Sequence, residues 1–241
     1  MHRTALFTYL PLWRCPSLRW TERIQPLLSR RAGVRRHCLV RRHPLLVPLA
    51  LRSIIAHVAG SFYGVLYTIY LIQDLRLSPF LLGVVISAGG VGSLVGSFFA
   101  SRVIARLGFG PALIWTATGA SIVGVLTPLA GGSLMLATLM VFIPQLVGDG
   151  LQTIEGVAEL SLIQGVVPDR ILGRVNATLE VFSHGIAYPL GALLAATLAG
   201  WIGVRGGIAI GWAGIAASIL LLVVSPLPRV RQPSDALAVE R

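Results

Sequence analysis

The sequence predicts an all-α membrane protein with six transmembrane helices, on three observations. Of its 241 residues, 55% are hydrophobic and 12% charged, against about 45–50% and about 25% in an ordinary soluble domain, and the mean hydropathy is +0.79. Six apolar stretches each hold about the 20 residues that a helix needs to cross ~30 Å of hydrocarbon. Arginines alternate from one side of these stretches to the other. Together these features exclude a disordered chain, disfavour a soluble enzyme and make a bilayer the expected solvent.

The stretches run approximately over 45–72, 80–101, 111–130, 133–154, 175–199 and 203–225. Turn-forming or polar residues separate them: Gln73 to Arg76 with Ser78-Pro79, Arg102 to Pro111, the Gly131-Gly132 pair, the mixed stretch 155–174, and Gly203 to Gly206. With residues 1–44 inside, the inner segments carry Arg30, Arg31, Arg35, Arg36, Arg41, Arg42, then Arg102 and Arg106, then Arg170 and Arg174, and last Arg229 and Arg231. The outer loops carry only Arg76 and Arg205. An Arg excess marks the cytoplasmic side, so both termini are expected in the cytoplasm. The resulting division is a basic tail over 1–44, a transmembrane domain over 45–228 and a cytoplasmic C-terminal tail over 229–241.

The net charge of +11 is concentrated in the tail, where ten Arg face one acid, Glu22. An overall basic charge can mark nucleic-acid binding, but no such motif accompanies the tail, and no nucleic-acid partner is expected. The tail superficially suits a transit peptide, yet Ala5 to Trp13 lacks a convincing cleavage site. The favoured reading is a poorly ordered basic arm, or sequence left by an unusual start or an upstream truncation; such an arm can still lie on anionic lipid. All twenty basic residues are Arg, which is read as compositional bias rather than selection for bidentate chemistry. Cys15 and Cys38 form no CxxC, no His/Cys group has zinc spacing, and neither a metal nor a cofactor is expected.

Small residues recur at helical spacing: Gly92, Gly96 and Ala100, then Gly60/Gly64/Thr68, Ala192/Ala196/Gly200 and Gly207/Gly211. Such ladders let helix backbones approach closely in a membrane. They indicate a packed bundle first, and a sliding one second.

Two loops carry motifs. Ser101-Arg102 to Arg106-Leu-Gly108-Phe-Gly110-Pro111 holds two adjacent helices close. Pro168-Asp169-Arg170-Ile-Leu-Gly173-Arg174 precedes a helix containing Gly185, Pro189 and Gly191. The first resembles the loop signature of the major facilitator superfamily, with Ser101 where that signature has an acid. The second resembles the approach to the fifth helix of the C-terminal half in its efflux-type branch of macrolide and siderophore exporters. Pro44-Leu-Leu, Leu77-Ser78-Pro79 and Leu82-Gly83 fit that branch too. The resemblance covers about residues 44–228. It implies one six-helix half of a bundle that usually has twelve crossings, and proton-coupled efflux of a small molecule or drug by alternating access across a bacterial cytoplasmic (inner) membrane. Substrate lies between the halves in that fold, so a second copy or another six-helix half is an expected partner. The alternative is a truncated, noncatalytic half or an assembly partner without flux of its own. An ATP-driven pump or a membrane enzyme is not expected, since no Walker loop, HExxH or GxSxG occurs.

Ionisable residues inside the membrane are functional candidates. Arg52 and Asp149 each lie ~10 Å from the inner surface at 1.5 Å per residue, and a pair between the first and fourth spans is possible. It is either a static lock or a gate. Glu180 and His184 share a helix face and can relay a proton, since an imidazole titrates near neutral pH; snorkelling of Glu180 beside Arg174 is the plainer role. His57 is expected to be structural. Tyr63, Tyr67 and Tyr70 read as an interfacial aromatic belt, Glu155 and Glu159 as solvated, and Asp169 as a helix cap paired with Arg170 or Arg174.

Overall fold

A computed structural model describes residues 46–232. The expectations for the tail over 1–44, including Cys15 and Cys38, and for the last nine residues lie outside this range. All regular structure among the described residues is helical. Five helical stretches are long and apolar enough to cross a membrane: Leu46–Asp74, Pro79–Leu107, Phe109–Leu129, Leu134–Val166 and Asp169–Val224. Their outer faces carry Phe80, Phe98, Trp115, Met135 and Trp201, all strongly exposed. The chain has the surface of an integral membrane protein.

Local chemistry sets the boundaries. Helix α1 (Leu46–Ile69) runs into a single π-helical turn, Tyr70–Asp74. Ser78 caps α2 (Pro79–Leu107) by accepting from Leu81 N at 3.4 Å, with Pro79 in the first turn, where its missing N–H costs nothing. Gly108, at φ 86°, ends α2 and starts α3 (Phe109–Gly124) without a spacer. Pro128 cannot donate to Gly124, and the chain restarts as the short α4 (Leu126–Leu129). After Gly131-Gly132, Ser133 caps α5 (Leu134–Ile143) at Leu136 N. Pro144 opens a π segment to Gly148, and α6 follows over Asp149–Val166. Then come α7 (Asp169–Glu180), a π segment over Val181–Ala187, and α8 (Tyr188–Val224).

Helix α8 is not one rod. Gly203 sits at φ 79°, ψ 164°, a region essentially reserved for glycine, and the chain doubles back there. Gly191 and Gly211 would be ~30 Å apart in a straight helix. Instead Gly191 lies against Val58 and Ser61, while Gly211 lies against Ala59 and Phe62. Both arms of α8 therefore clasp the same turn of α1, the most extensive helix–helix contact among the described residues.

The turns gather at two ends. At one end the backbone N–H groups of Phe109 and Gly110 donate to the carbonyls of Arg231 and Val230. Beneath them Leu49, Leu113, Leu162, Leu222, Leu227 and Val230 form one apolar cluster. The region after 228 thus begins as docked chain, with Leu227–Arg229 in a 3-10 turn. At the other end Arg205 donates to the Ala130 carbonyl and, at 3.3 Å, to the Tyr70 hydroxyl. That hydroxyl itself donates to Ala130 at 3.1 Å. Arg205 so ties the turns after α1, α4 and Gly203 together above a cluster of Leu66, Leu71, Val85, Val141 and Ile208.

Several limits differ from those expected. Helix α2 continues through Arg102 and Arg106 to Leu107, and the fourth stretch runs on through Glu155 and Glu159 to Val166. The residues 155–166 are helix because Ile154, Ala158, Leu162 and Ile163 form an inward stripe at helical spacing. Among the small-residue ladders, Gly92 and Gly96 do seat α2 on the backbone of Leu146 and Gly150, and Gly207 and Gly211 seat α8 on α1. The ladder Ala192/Ala196/Gly200 does not: Ala196 and Gly200 are exposed, and Gly191 and Ala195 face inward instead. Gly60 has no neighbour within 4 Å of a side-chain position, and in its ladder only Gly64 is in close contact, against Tyr188.

Candidate functional site

Three elements line an open cleft of about 270 Å³. Helix α1 contributes Ser53 and His57, α6 contributes Gly156, Glu159, Leu160 and Ile163, and α7 with the π segment contributes Asn176, Leu179, Glu180, Ser183 and His184. His57 stands eleven positions from Leu46 and seventeen from Asp74 in a crossing of 29 residues. At 1.5 Å per residue, that places it ~16 Å from one end and ~25 Å from the other. His57 therefore lies well inside the apolar length of α1, whereas the facing α7 is amphipathic, with Asp169, Arg170, Arg174 and Glu180 exposed.

Its floor is an ionic cluster. Arg52, 7% exposed, forms an ion pair with Glu155, 6% exposed. A second nitrogen of the same guanidinium lies 3.6 Å from Glu159. Glu155 and Glu159 are one helical turn apart and share the inward face of α6, so one guanidinium serves both. The expected partner, Asp149, is not in this cluster. A helix ending near residue 154 would put Asp149 at the depth of Arg52. The helix actually continues to Val166, and Asp149 lies ~9 Å beyond Glu155 toward the opposite end. Asp149 instead faces Gly89, whose missing side chain leaves room for the carboxylate beside Gln145. Glu155 and Glu159 are accordingly not solvated loop residues.

Above the ionic floor the two histidines meet. His57 Nδ1 donates to the Ser53 carbonyl at 2.7 Å, and its Nε2 lies 3.2 Å from His184 Nε2. The rings are edge to face, with centroids 4.2 Å apart. His184 Nδ1 lies 3.1 Å from Glu180 Oε1, so Glu180 and His184 do act on one helix face, and Glu180 forms no ion pair with Arg174. Ser53 and Ser183 hydroxyls, 3.1 Å apart, join the same two elements below the rings. The side chains of Glu180 and His184 are 72% and 57% exposed. His57, read from sequence as a structural residue of its own helix, is thus a member of an interhelical cluster.

The π segment Val181–Ala187 positions this cluster. Pro189 cannot donate to the Gly185 carbonyl, and the helix widens before it, a common feature at functional positions. Gly185 has no atom within reach except Val181 at 3.9 Å, whereas Gly191 is pressed onto α1. Of these two glycines, only Gly191 is a packing residue.

No known family, curated protein or solved structure matches the chain. Function must therefore be read from geometry.

The remaining sequence candidates surround the cleft or lie apart from it. Pro168, Asp169, Arg170, Gly173 and Arg174 are exposed at the α6–α7 turn. Asp169 lies in the first turn of α7 without capping it, and makes no ion pair among the described residues. Its charge still favours the positive end of the helix dipole. Arg102 and Arg106 are exposed at the end of α2, with Arg102 5.9 Å above the Phe99 ring. The tyrosine stripe is not a lipid-facing belt. Tyr67 and Tyr70 are buried, Tyr63 donates to Gln145 Oε1 at 2.6 Å, and the Tyr63 ring packs on Tyr67 and Trp212. Among the described residues no group of three or more His, Cys, Asp or Glu side chains is arranged to hold a metal.

Proposed function

We propose that this chain is a six-crossing half of a secondary transporter of the major facilitator type, moving a small molecule out of a bacterial cell in exchange for protons. The observation that carries the reading is the exposed Glu180–His184 pair set against His57 in the apolar helix α1. A charged or strongly polar side chain turned to hydrocarbon costs at least ~2.5–3.5 kcal/mol on insertion scales, so such residues face a bundle interior or a water-filled cavity. With these two side chains more than half exposed, the wall they form requires water or a facing protein surface against it. A second copy, or another six-helix half, supplies that surface and completes a two-walled cavity.

Two further features support the reading. The reversal at Gly203 divides the fifth apolar stretch, as six alternating crossings with both ends on one side require. The arginine distribution then assigns that side to the cytoplasm. Of the helices that build the cleft, α1 and α6 also meet their neighbours at small residues, Gly191 and Gly211 on α1 and Gly96 on α6, contacts that suit rocking between two arrangements.

The test uses everted membrane vesicles carrying the full chain, with respiration generating an acidic interior reported by a quenched acridine dye. Adding a macrolide or a hydrophobic cation such as ethidium is expected to dissipate part of the gradient, and Glu180→Gln is expected to abolish that response. Absence of a response to a broad panel of such solutes, or an equal response with Glu180→Gln, overturns the reading.

A further inference from the structure

The polar contacts around the two histidines bear on how many protons the cluster holds. The Ser53 carbonyl can only accept, so His57 Nδ1 carries hydrogen. His184 Nδ1 lies 3.1 Å from Glu180 Oε1, and an ionised carboxylate that close favours hydrogen on that nitrogen. Each neutral ring then presents a bare lone pair at Nε2, and the two lone pairs face each other at 3.2 Å. That contact repels unless one proton lies between them. If instead Glu180 is protonated and donates to Nδ1, His184 carries its hydrogen on Nε2 and donates to His57. The second arrangement contains the same number of protons as the first. Either way, the closed cluster holds one proton more than ionised Glu180 with two neutral rings.

We infer that His57, His184 and Glu180 form an interhelical proton-binding site, which holds one proton while α1 and α7 are in contact and releases it when they part. The inference deepens the proton-coupled reading above and names the site of coupling, yet it is tested without any transported solute. Of the charged groups around the rings, Glu159 lines the same cleft from α6 and Glu180 from α7, while Arg52 of α1, paired with Glu155 and Glu159, opposes an added positive charge on His57. The Ser53–Ser183 contact adds a neutral hydrogen bond between the same elements, and Leu46 of α1 packs with Val175 of α7 at the far end of the contact.

The sign follows from the stoichiometry. Protons are bound in the closed arrangement, so low pH closes the cleft and high pH opens it. The experiment takes the full chain in lipid nanodiscs, with Cys15→Ser and Cys38→Ser and spin labels at Leu51→Cys and Phe182→Cys, both exposed positions outside the cluster. Electron–electron distances are measured from pH 5.5 to 8.5, first without and then with a chelator. The expected result is a short distance at pH 5.5, giving way to a population several ångströms longer at pH 8.5. The dependence is expected to vanish in His57→Gln and in His184→Gln. The latter residue is more than half exposed, so its replacement leaves the packed core intact. A wild-type distance that ignores pH, an equal shift in both variants, or closure on raising the pH overturns the proposal. Loss of the short distance at pH 5.5 on adding chelator also overturns it, because the bound cation would then be a metal. A pH-dependent distance in a chain that moves no solute would keep the proton site and remove the transport reading.

Discussion

Replacing Arg52 with Met is expected to be among the most destabilising single changes in this chain. Arg52 is the counter-charge for two carboxylates on one face of α6, one of them almost fully buried. Removing one partner of a buried pair costs about 3–5 kcal/mol, because the other charge stays buried and unpaired. Repulsion between Glu155 and Glu159, one turn apart, adds about 0.2–0.5 kcal/mol. Glu155→Gln should cost less, about 1.5–3 kcal/mol, the worth of a hydrogen bond to a charged group, because Arg52 keeps Glu159. Glu159→Gln removes a 3.6 Å contact from a side chain about a fifth exposed, which places it near the ~0–1 kcal/mol of exposed pairs. The double variant Arg52→Met with Glu155→Met removes both tightly paired charges and should recover most of the loss. At about 2–4 °C per kcal/mol for a chain of this size, Arg52→Met lowers the unfolding midpoint by ~6–20 °C. Thermal unfolding in detergent, followed by tryptophan fluorescence, checks the whole order. An Arg52→Met midpoint within ~2 °C of wild type, or a double variant less stable than Arg52→Met alone, would refute the reasoning.

Two further predictions concern backbone contacts. Gly92→Val and Gly96→Val would drive a side chain into the backbone at Leu146 and Gly150. Each should cost at least the ~1–3 kcal/mol typical of overpacking, read as lost monodisperse yield in size-exclusion chromatography. Gly90→Ala, with no atom within 4 Å, should be neutral or stabilising by up to ~1 kcal/mol through helix propensity. Gly203→Ala should cost about 1–3 kcal/mol, because φ 79° with ψ 164° is closed to a residue bearing a Cβ. Gly200→Ala, three positions earlier and open to its surroundings, provides the control in the same thermal assay.

The candidate site was only half legible. Glu180 and His184 are four positions apart, so helical geometry alone puts them together, and their pairing follows from the chain itself. The His57–His184 contact spans 127 residues, and no spacing rule connects the two. Glu155 and Glu159 were visible as acids but read as loop. The inward stripe of Ile154, Ala158, Leu162 and Ile163 was the signal that their helix continues. The helix ends at Val166, twelve residues beyond the apolar run, and this shift replaces Asp149 with Glu155 at the depth of Arg52.

What the amino-acid sequence determined by itself is everything local in one dimension. Apolar runs of crossing length, the caps at Ser78 and Ser133, and the reversals at Gly132 and Gly203 need only neighbouring residues to specify them. Which face of each helix turns inward was decided only by the tertiary structure. In a soluble protein water makes that choice, because apolar residues flee it and leave a periodic trace. Here lipid is as apolar as the core, so Phe98 and Val85 are equally acceptable in either direction, yet one is exposed and the other buried. Rotation and depth of the helices are then set by close approach at glycines such as Gly92 and Gly211, and by the few buried charges. Those same rotations bring Arg52 to Glu155 and His57 to His184.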